Sequence, residues 1–267
     1  MRFANDVCVV TGAGAGIGRT TASRFAAEGA RVACVDIDGD AAAAAAEHIT
    51  TEGGRARAYA CDVGEPASIA DTFASVEADF SEPISILFAN AGVEGPIMPF
   101  DEVSIEDWDR VFAINVRGPF LCAKHALPSM RRGGRGAIVI TGSNSSFIAF
   151  PGWAVYTATK GAVLMLAKSL AIDLAPDGIR VNVVCPGPTD TPMYRRGHSS
   201  MADAASEPGA GGDGPDGRLA SPDEIANVVL FAASEEASMM TGSALVADFG
   251  NTARGGPTWP SRHYWTV

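Results

Sequence analysis

The sequence predicts an α/β fold: a seven-stranded parallel sheet, doubly wound, with helices on both faces. Three observations lead to it. Short apolar, β-branched runs alternate with longer helical stretches along the chain. There are seven such runs, and the first passes straight into a glycine-rich turn that opens a helix.

Taken in order, the first strand covers 7–10, and the turn after it releases a helix over 16–28. The second strand, 31–36, ends on Asp36. The helix over 39–52 contains the alanine run 41–46, alanine being the residue with the highest helix propensity. A strand over 56–60, a helix over 66–80 and a strand over 84–89 follow. Ser104, three residues before Asp107, marks a capped start for a helix through 106–131, with bends expected at Pro119 and Pro128. The fifth strand covers 136–141. The helix over 153–175 is apolar nearly all round, with Val155, Ala162, Met165 and Ile172 on different sides. A helix lying on a sheet needs only one apolar stripe, so a second buried side implies another subunit. The sixth strand spans 180–185. Residues 195–216 are rich in Gly, Asp, Ser and Ala, hold Pro208 and Pro215 and lack an apolar period; they read as a long mobile loop, a lid over a site. Ser221 before Pro222 is an N-cap followed by a first-turn proline and starts the helix over 222–233, ahead of a seventh strand over 243–248.

With 267 residues, 47% hydrophobic and 19% charged, the chain has material for a full core, and a single domain over 1–267 is expected. Lys plus Arg number 20 against 31 Asp plus Glu, a net charge of −11, which repels a phosphate backbone or an anionic bilayer. Neither nucleic acid nor membrane is expected as a partner. The apolar run 162–167 stops at Lys168, well short of the roughly 20 residues a bilayer span needs. The N-terminus, with Asp6 interrupting its apolar stretch, does not read as a secretory signal, and a cytoplasmic location is expected. The five cysteines (Cys8, Cys34, Cys61, Cys122, Cys185) are scattered through apolar runs and read as reduced core residues. No CxxC pair or metal-ligand histidine spacing is present, so no metal is expected.

Thr11-Gly12-Ala13-Gly14-Ala15-Gly16-Ile17-Gly18 stands between the first strand and its helix. Glycines there let the backbone turn sharply and approach a diphosphate, whose charge meets free amides and the positive end of the helix dipole. The common GxGxxG spacing fails at Ile17; GxxxGxG fits on Gly12, Gly16 and Gly18. At the end of the second strand an acid would receive the two ribose hydroxyls of an adenosine, and Asp36 stands there. Its carboxylate would repel the 2′-phosphate of NADP, and neither Ala15 nor residues 37–40 supply a base, so NAD is the expected cofactor. Tyr156 and Lys160, four apart at the start of a helix, share a face; the ammonium is expected to lower the phenol's pKa toward a range where it exchanges protons with an alcohol.

Together these elements resemble the classical short-chain dehydrogenase/reductase (SDR) family over roughly residues 5–253, with further motifs in that family's order. Asp62-Val63 follows the third strand, Asn90-Ala91-Gly92 the fourth, Ser143 the fifth and Pro186-Gly187 the sixth, while Asn115 lies in Ile114-Asn115-Val116. The resemblance implies a Rossmann-like dinucleotide-binding and catalytic domain, with a lid at about 195–217 and a C-terminal extension at 255–267. It implies that Asp62 and Val63 hold the adenine, that Asn90, Ala91 and Gly92 line the cofactor groove, and that Pro186, Gly187, Thr189 and Thr191 position the nicotinamide. Gly12, Gly16, Ile17, Gly18, Asp36, Tyr156 and Lys160 complete the implied cofactor site. The implied catalytic set is Asn115, Ser143, Tyr156 and Lys160: Tyr156 exchanges the hydroxyl proton, Ser143 hydrogen-bonds the substrate oxygen, Lys160 tunes the tyrosine and holds the ribose, and Asn115 anchors a water that relays the proton through Lys160. A homotetramer is also implied. Ala89 and Phe249 depart from the family, standing where asparagine and glycine are common.

Residues expected to border the substrate are 94–98, 144–153 and Met193 onward, largely apolar through Met98, Phe147, Phe150, Trp153 and Met193. Such a lining suits a hydrophobic or cyclic secondary alcohol and its ketone. Arg195 and Arg196 either clamp an anionic substrate group or are solvated loop charges. Two rival readings are an acyl-carrier-protein-type ketoacyl reductase, which Asp36 disfavours, and a non-catalytic NAD-binding sensor. The aromatic tail with Trp259, His263, Tyr264 and Trp265 packs at a subunit contact or over a pocket, or is disordered.

Overall fold

The computed structural model describes residues 1–198 and 218–253. Strands β1 (Val7–Thr11), β2 (Arg31–Asp36), β3 (Arg55–Ala60), β4 (Ile84–Ala89), β5 (Gly136–Thr141), β6 (Ile179–Pro186) and β7 (Ala244–Ala247) form one parallel sheet in the order β3-β2-β1-β4-β5-β6-β7. The expected Rossmann-like, doubly wound seven-stranded sheet is the observed one. Its strand order reverses between β1 and β4, and ligands of such sheets bind in the crevice beyond the carboxyl ends at that point. The helices among the described residues are α1 (Gly16–Ala27), α2 (Gly39–Thr51), α3 (Pro66–Asp79), α4 (Ile105–Phe112), α5 (Gly118–Gly133), α6 (Ala154–Leu174), α7 (Pro192–His198) and α8 (Pro222–Ala233).

Successive strand side chains point to opposite faces, and each face has its own apolar core. Val7, Val9, Leu87, Ile138, Ile140 and Val183 pack with Phe73 of α3, Met130 of α5 and Val163 of α6. Cys8, Val10, Ile86, Phe88 and Val139 face the other way, against Phe25 of α1, Ile49 of α2 and Leu230 of α8. The central strands are thus buried on both sides, which is why they read as unbroken apolar runs. All five cysteines are free and buried.

Both expected helix starts are realised. Ser104 Oγ accepts the Asp107 N–H at 3.0 Å. Ser221 and Glu224 form a reciprocal pair, at 3.2 Å and 2.8 Å, around Pro222. The long helix expected over 106–131 is interrupted: between α4 and α5 the chain makes a π turn, Ala113–Arg117, in which Gly118 N–H reaches back to the Ala113 carbonyl. Pro119 has no N–H to offer the Asn115 carbonyl four residues earlier, so ordinary α winding could not be satisfied there. Pro128 lies inside α5 without ending it.

The start of the expected mobile loop is helical. Thr191 caps α7, its Oγ1 accepting the Tyr194 N–H at 3.2 Å, with Pro192 in the first turn. The rest of the expected lid, from residue 199 to 217, and the aromatic extension, 255–267, lie outside the described residues. The stretch Ala154–Asp177 is, contrary to the reading of its apolar runs, long and apolar enough to cross a membrane. Its inner side, with Val163, Ala167 and Ala171, is buried against the sheet, while Met165 and Ile172 on its outer side are exposed. Phe249, where the family commonly has glycine, adopts φ +55°, the left-handed region that glycine enters without penalty; its ring lies under the Arg218 guanidinium at 4.4 Å.

Candidate active site

Three strand ends are tied together at the crevice. Thr11 Oγ1 accepts the Asn90 and Ala91 N–H groups at 3.0 Å each. The Asn90 side-chain amide donates to the Thr11 carbonyl at 3.0 Å, and Thr141 Oγ1 donates to Asn90 Oδ1 at 3.1 Å. Asn90 therefore fixes the ends of β1, β4 and β5 relative to one another.

The glycine loop crosses this floor. Gly12 sits at φ +67° and Gly16 at φ +52°, and a Cβ on Gly18 would lie 1.9 Å from the Gly12 carbonyl oxygen. Gly18 closes the turn from behind, whereas Gly12, Gly16 and Ile17 line the cleft. Ala15, at the N-cap of α1, offers no side chain to its first-turn amides. Asp36 accepts the Gly14 N–H at 2.8 Å and the Asp38 N–H at 3.0 Å, which orients its carboxylate at the mouth of the loop. An uncapped helix start, a backbone no Cβ could enter and an acid at the mouth of the loop fit a dinucleotide.

From Asp36 the cleft, about 770 Å³, passes Asp62 and Val63, then Asn90, Ala91 and Gly92, to Tyr156 and Lys160. Pro186, Gly187, Thr189 and Thr191 form its other wall. Of the residues expected to hold the cofactor, Gly18 alone does not reach the cleft. Beyond Tyr156 the lining is Phe150, Trp153, Met193, Tyr194, Glu94 and Arg196. Met98 and the exposed Phe147, expected at this border, do not line it.

Ser143, Tyr156 and Lys160 converge at this end. Ser143 Oγ accepts the Ser145 N–H at 3.1 Å and donates to Asn144 Oδ1 at 3.0 Å, a capping turn that aims the hydroxyl at the tyrosine. Burial pushes the Tyr156 phenol up to about 12, the Ser143 hydrogen bond pulls it down, and the charge of Glu94 raises it further. Burial also brings Lys160 down to about 8. Lys160 Nζ lies 5.4 Å from the Tyr156 ring centroid and donates to the Thr141 carbonyl at 2.8 Å. Burial thus dominates the phenol, and the pull that offsets it comes from Ser143 rather than from the Lys160 ammonium.

Asn115 stands behind the cleft wall. Its side chain grips Val93, with Oδ1 accepting the N–H at 2.9 Å and Nδ2 donating to the carbonyl at 2.8 Å, and Nδ2 also donates to Thr159 Oγ1 at 3.1 Å. Both amide hydrogens are engaged. Arg195 pairs with Asp190 at the surface, through two contacts of 2.7 Å and 2.9 Å, while Arg196 lines the cleft.

Sequence reasoning underrated Glu94, which it placed at the border of an apolar pocket. Burial pushes its carboxyl up to about 7 against the opposing charge of Arg196.

A doubly wound sheet with a nucleotide cleft ending at a tyrosine and a lysine defines a class of dinucleotide-binding protein. Within it, a family model described as enoyl-(acyl carrier protein) reductase matches residues 12–252. The chain is 37% identical to D-threitol dehydrogenase of Mycolicibacterium smegmatis, over 95% of both chains. It is 35% identical to cyclohexanol dehydrogenase of an Acinetobacter species, over 95% of this chain and 97% of the other. The solved 3-ketoacyl-(acyl-carrier-protein) reductase of Brucella melitensis, complexed with NADH, superposes with a TM-score of 0.82 at 33% identity, covering 93% of this chain and 98% of that one. The chain belongs to the classical short-chain dehydrogenase/reductase family, whose members are oxidoreductases that use a nicotinamide cofactor.

Proposed function

We propose that this chain is an NAD-dependent enzyme that interconverts a hydrophobic or cyclic secondary alcohol and its ketone, using Tyr156, Ser143, Lys160 and Asn115, within a single dinucleotide-binding and catalytic domain. The observation that carries the reading is the meeting of Ser143, Tyr156 and Lys160 at one end of a cleft whose far end holds Asp36. NAD would rest on Gly12, Gly16 and Ile17 with its adenosine ribose at Asp36, and supplies the acceptor for the hydride of the carbinol carbon. The Asp36 carboxylate disfavours a 2′-phosphate by like charge.

The chain's own groups handle the proton. Tyr156 Oη takes the alcohol proton, and the Ser143 hydroxyl holds the substrate oxygen as its charge changes. Lys160 stabilises the phenolate by its charge and passes the proton outward. Asn115 acts in two ways: its side chain fixes Val93 and Thr159, and its backbone carbonyl, to which Pro119 can donate no N–H, holds the relaying water. Phe150, Trp153 and Met193 exclude water and grip the carbon skeleton.

The protein assembles as a homotetramer, supported by exposed Met165 and Ile172 on the outer side of α6, and a cytoplasmic setting suits five free thiols. The reading has no place for a nucleic acid or a membrane.

The test is initial rates on cyclic and aryl secondary alcohols with NAD and NADP, for the native chain and Tyr156→Phe. Turnover with NAD that falls at least about 100-fold in the mutant supports the reading. Preference for NADP overturns the role of Asp36, and tight NAD binding with no turnover on any alcohol favours the sensor reading.

A further inference from the structure

The substrate end of the cleft contains an acid that proton and hydride transfer leave without a task. Glu94 follows Val93, held at both its N–H and carbonyl by Asn115, and precedes Gly95, which lies at φ +75° so close to Val111 that a Cβ would come within 2.7 Å of Cγ2. The backbone is therefore fixed on both sides of it. The side chain is half-buried in the cleft that holds Tyr156 and makes no hydrogen bond or ion pair with any described residue. A carboxyl half out of water, with no donor among the described residues, keeps lone pairs open to a ligand entering the cleft.

We propose that Glu94 is a specificity-determining residue that accepts a hydrogen bond from a second hydroxyl of the substrate, so that the cleft takes diols and hydroxyketones in preference to the corresponding mono-alcohols and ketones. This rests on the alcohol-oxidoreductase reading above. Tyr156 and Ser143 hold the reacting oxygen, Trp153 and Met193 the carbon skeleton, and Glu94 the second oxygen. Arg196 decides between possible donors. Its cation acts on Glu94 and lines the same cleft, so a substrate ammonium would be repelled where a neutral hydroxyl is not. Above pH about 7, where Glu94 has lost its proton, an acceptor-only group would meet the carboxylate's lone pairs.

The experiment compares kcat/KM for cyclohexane-1,2-diol and cyclohexanol with NAD, in the native chain, Glu94→Gln and Glu94→Leu. The native chain is expected to prefer the diol. In Glu94→Leu the ratio of diol to mono-alcohol falls at least about tenfold, equivalent to roughly 1.4 kcal/mol, chiefly through KM for the diol. Glu94→Gln keeps a carbonyl acceptor and loses less. An unchanged ratio in Glu94→Leu, or no diol preference in the native chain, overturns the proposal while leaving the alcohol reading intact. Absence of turnover on both compounds by the native chain fails both.

Discussion

Glu94 also has a thermodynamic signature. Burial raises its carboxyl from 4.5 to about 7, with the Arg196 charge opposing the rise and the Tyr156 phenol sharing the cleft. A group whose folded pKa is raised contributes fully below its unfolded value, here 4.5, and that contribution is lost as pH climbs through about 7. Glu94→Gln removes the charge and keeps the shape. Its melting temperature should match the native chain near pH 4 and exceed it by about 2–4 °C at pH 8, roughly 1 kcal/mol once the water screening the exposed half is allowed for. A pH-independent difference would contradict the desolvation argument. Asn115→Leu should cost about 2–3 kcal/mol in urea unfolding, because the Val93 N–H and carbonyl lose their partner and Thr159 Oγ1, which still donates to the Tyr156 carbonyl, loses its donor. At this scale the sequence was partly legible. Tyr156, Ser143 and Asp36 stand out by motif and position, whereas Glu94 looks like any loop acid until the fold half-buries it. The phenol's raised pKa was equally hidden, since spacing reveals the neighbouring ammonium but not the shared burial.

The elements were legible wherever a local signal suffices. Seven apolar runs became strands, and Ser104 and Ser221 became caps, because both features depend on near neighbours. Thr191-Pro192 carries the same signature as Ser221-Pro222 and announces α7, but the glycine-rich residues after it obscured the helix. The π turn was legible only as a bend near Pro119; its widening depends on which carbonyl that proline leaves without a donor. Arg180 does work no periodicity reveals: from β6 it donates to the carbonyls of Ala232, Ala233 and Ser234, at 2.8, 3.1 and 2.9 Å, and so satisfies the end of α8. Arg180→Leu should therefore lower stability by about 2–4 kcal/mol in denaturant titrations. Arg180→Lys should recover only a fraction, since a single ammonium cannot span those oxygens.

At the scale of the molecule, the strand-order reversal between β1 and β4 brings residues from Gly12 to Thr191 into one cleft, and any ligand bridging it stabilises the whole sheet. NAD at 100 times its Kd should add about 2.7 kcal/mol and raise the melting temperature by about 5–10 °C. NADP at the same concentration should raise it less, and Asp36→Ala should narrow the gap between them. If the proposed tetramer forms through the outer side of α6, Met165→Glu with Ile172→Glu should yield smaller species by light scattering, and an unchanged mass would exclude that side as a contact. The five buried thiols have a practical corollary. An alkylating reagent meets no exposed cysteine among the described residues, so the rate of labelling measures how often the chain opens. Cys61, which lines the cleft, would report openings local to it, while Cys8 and Cys34, beneath the opposite face, would report the sheet as a whole coming apart.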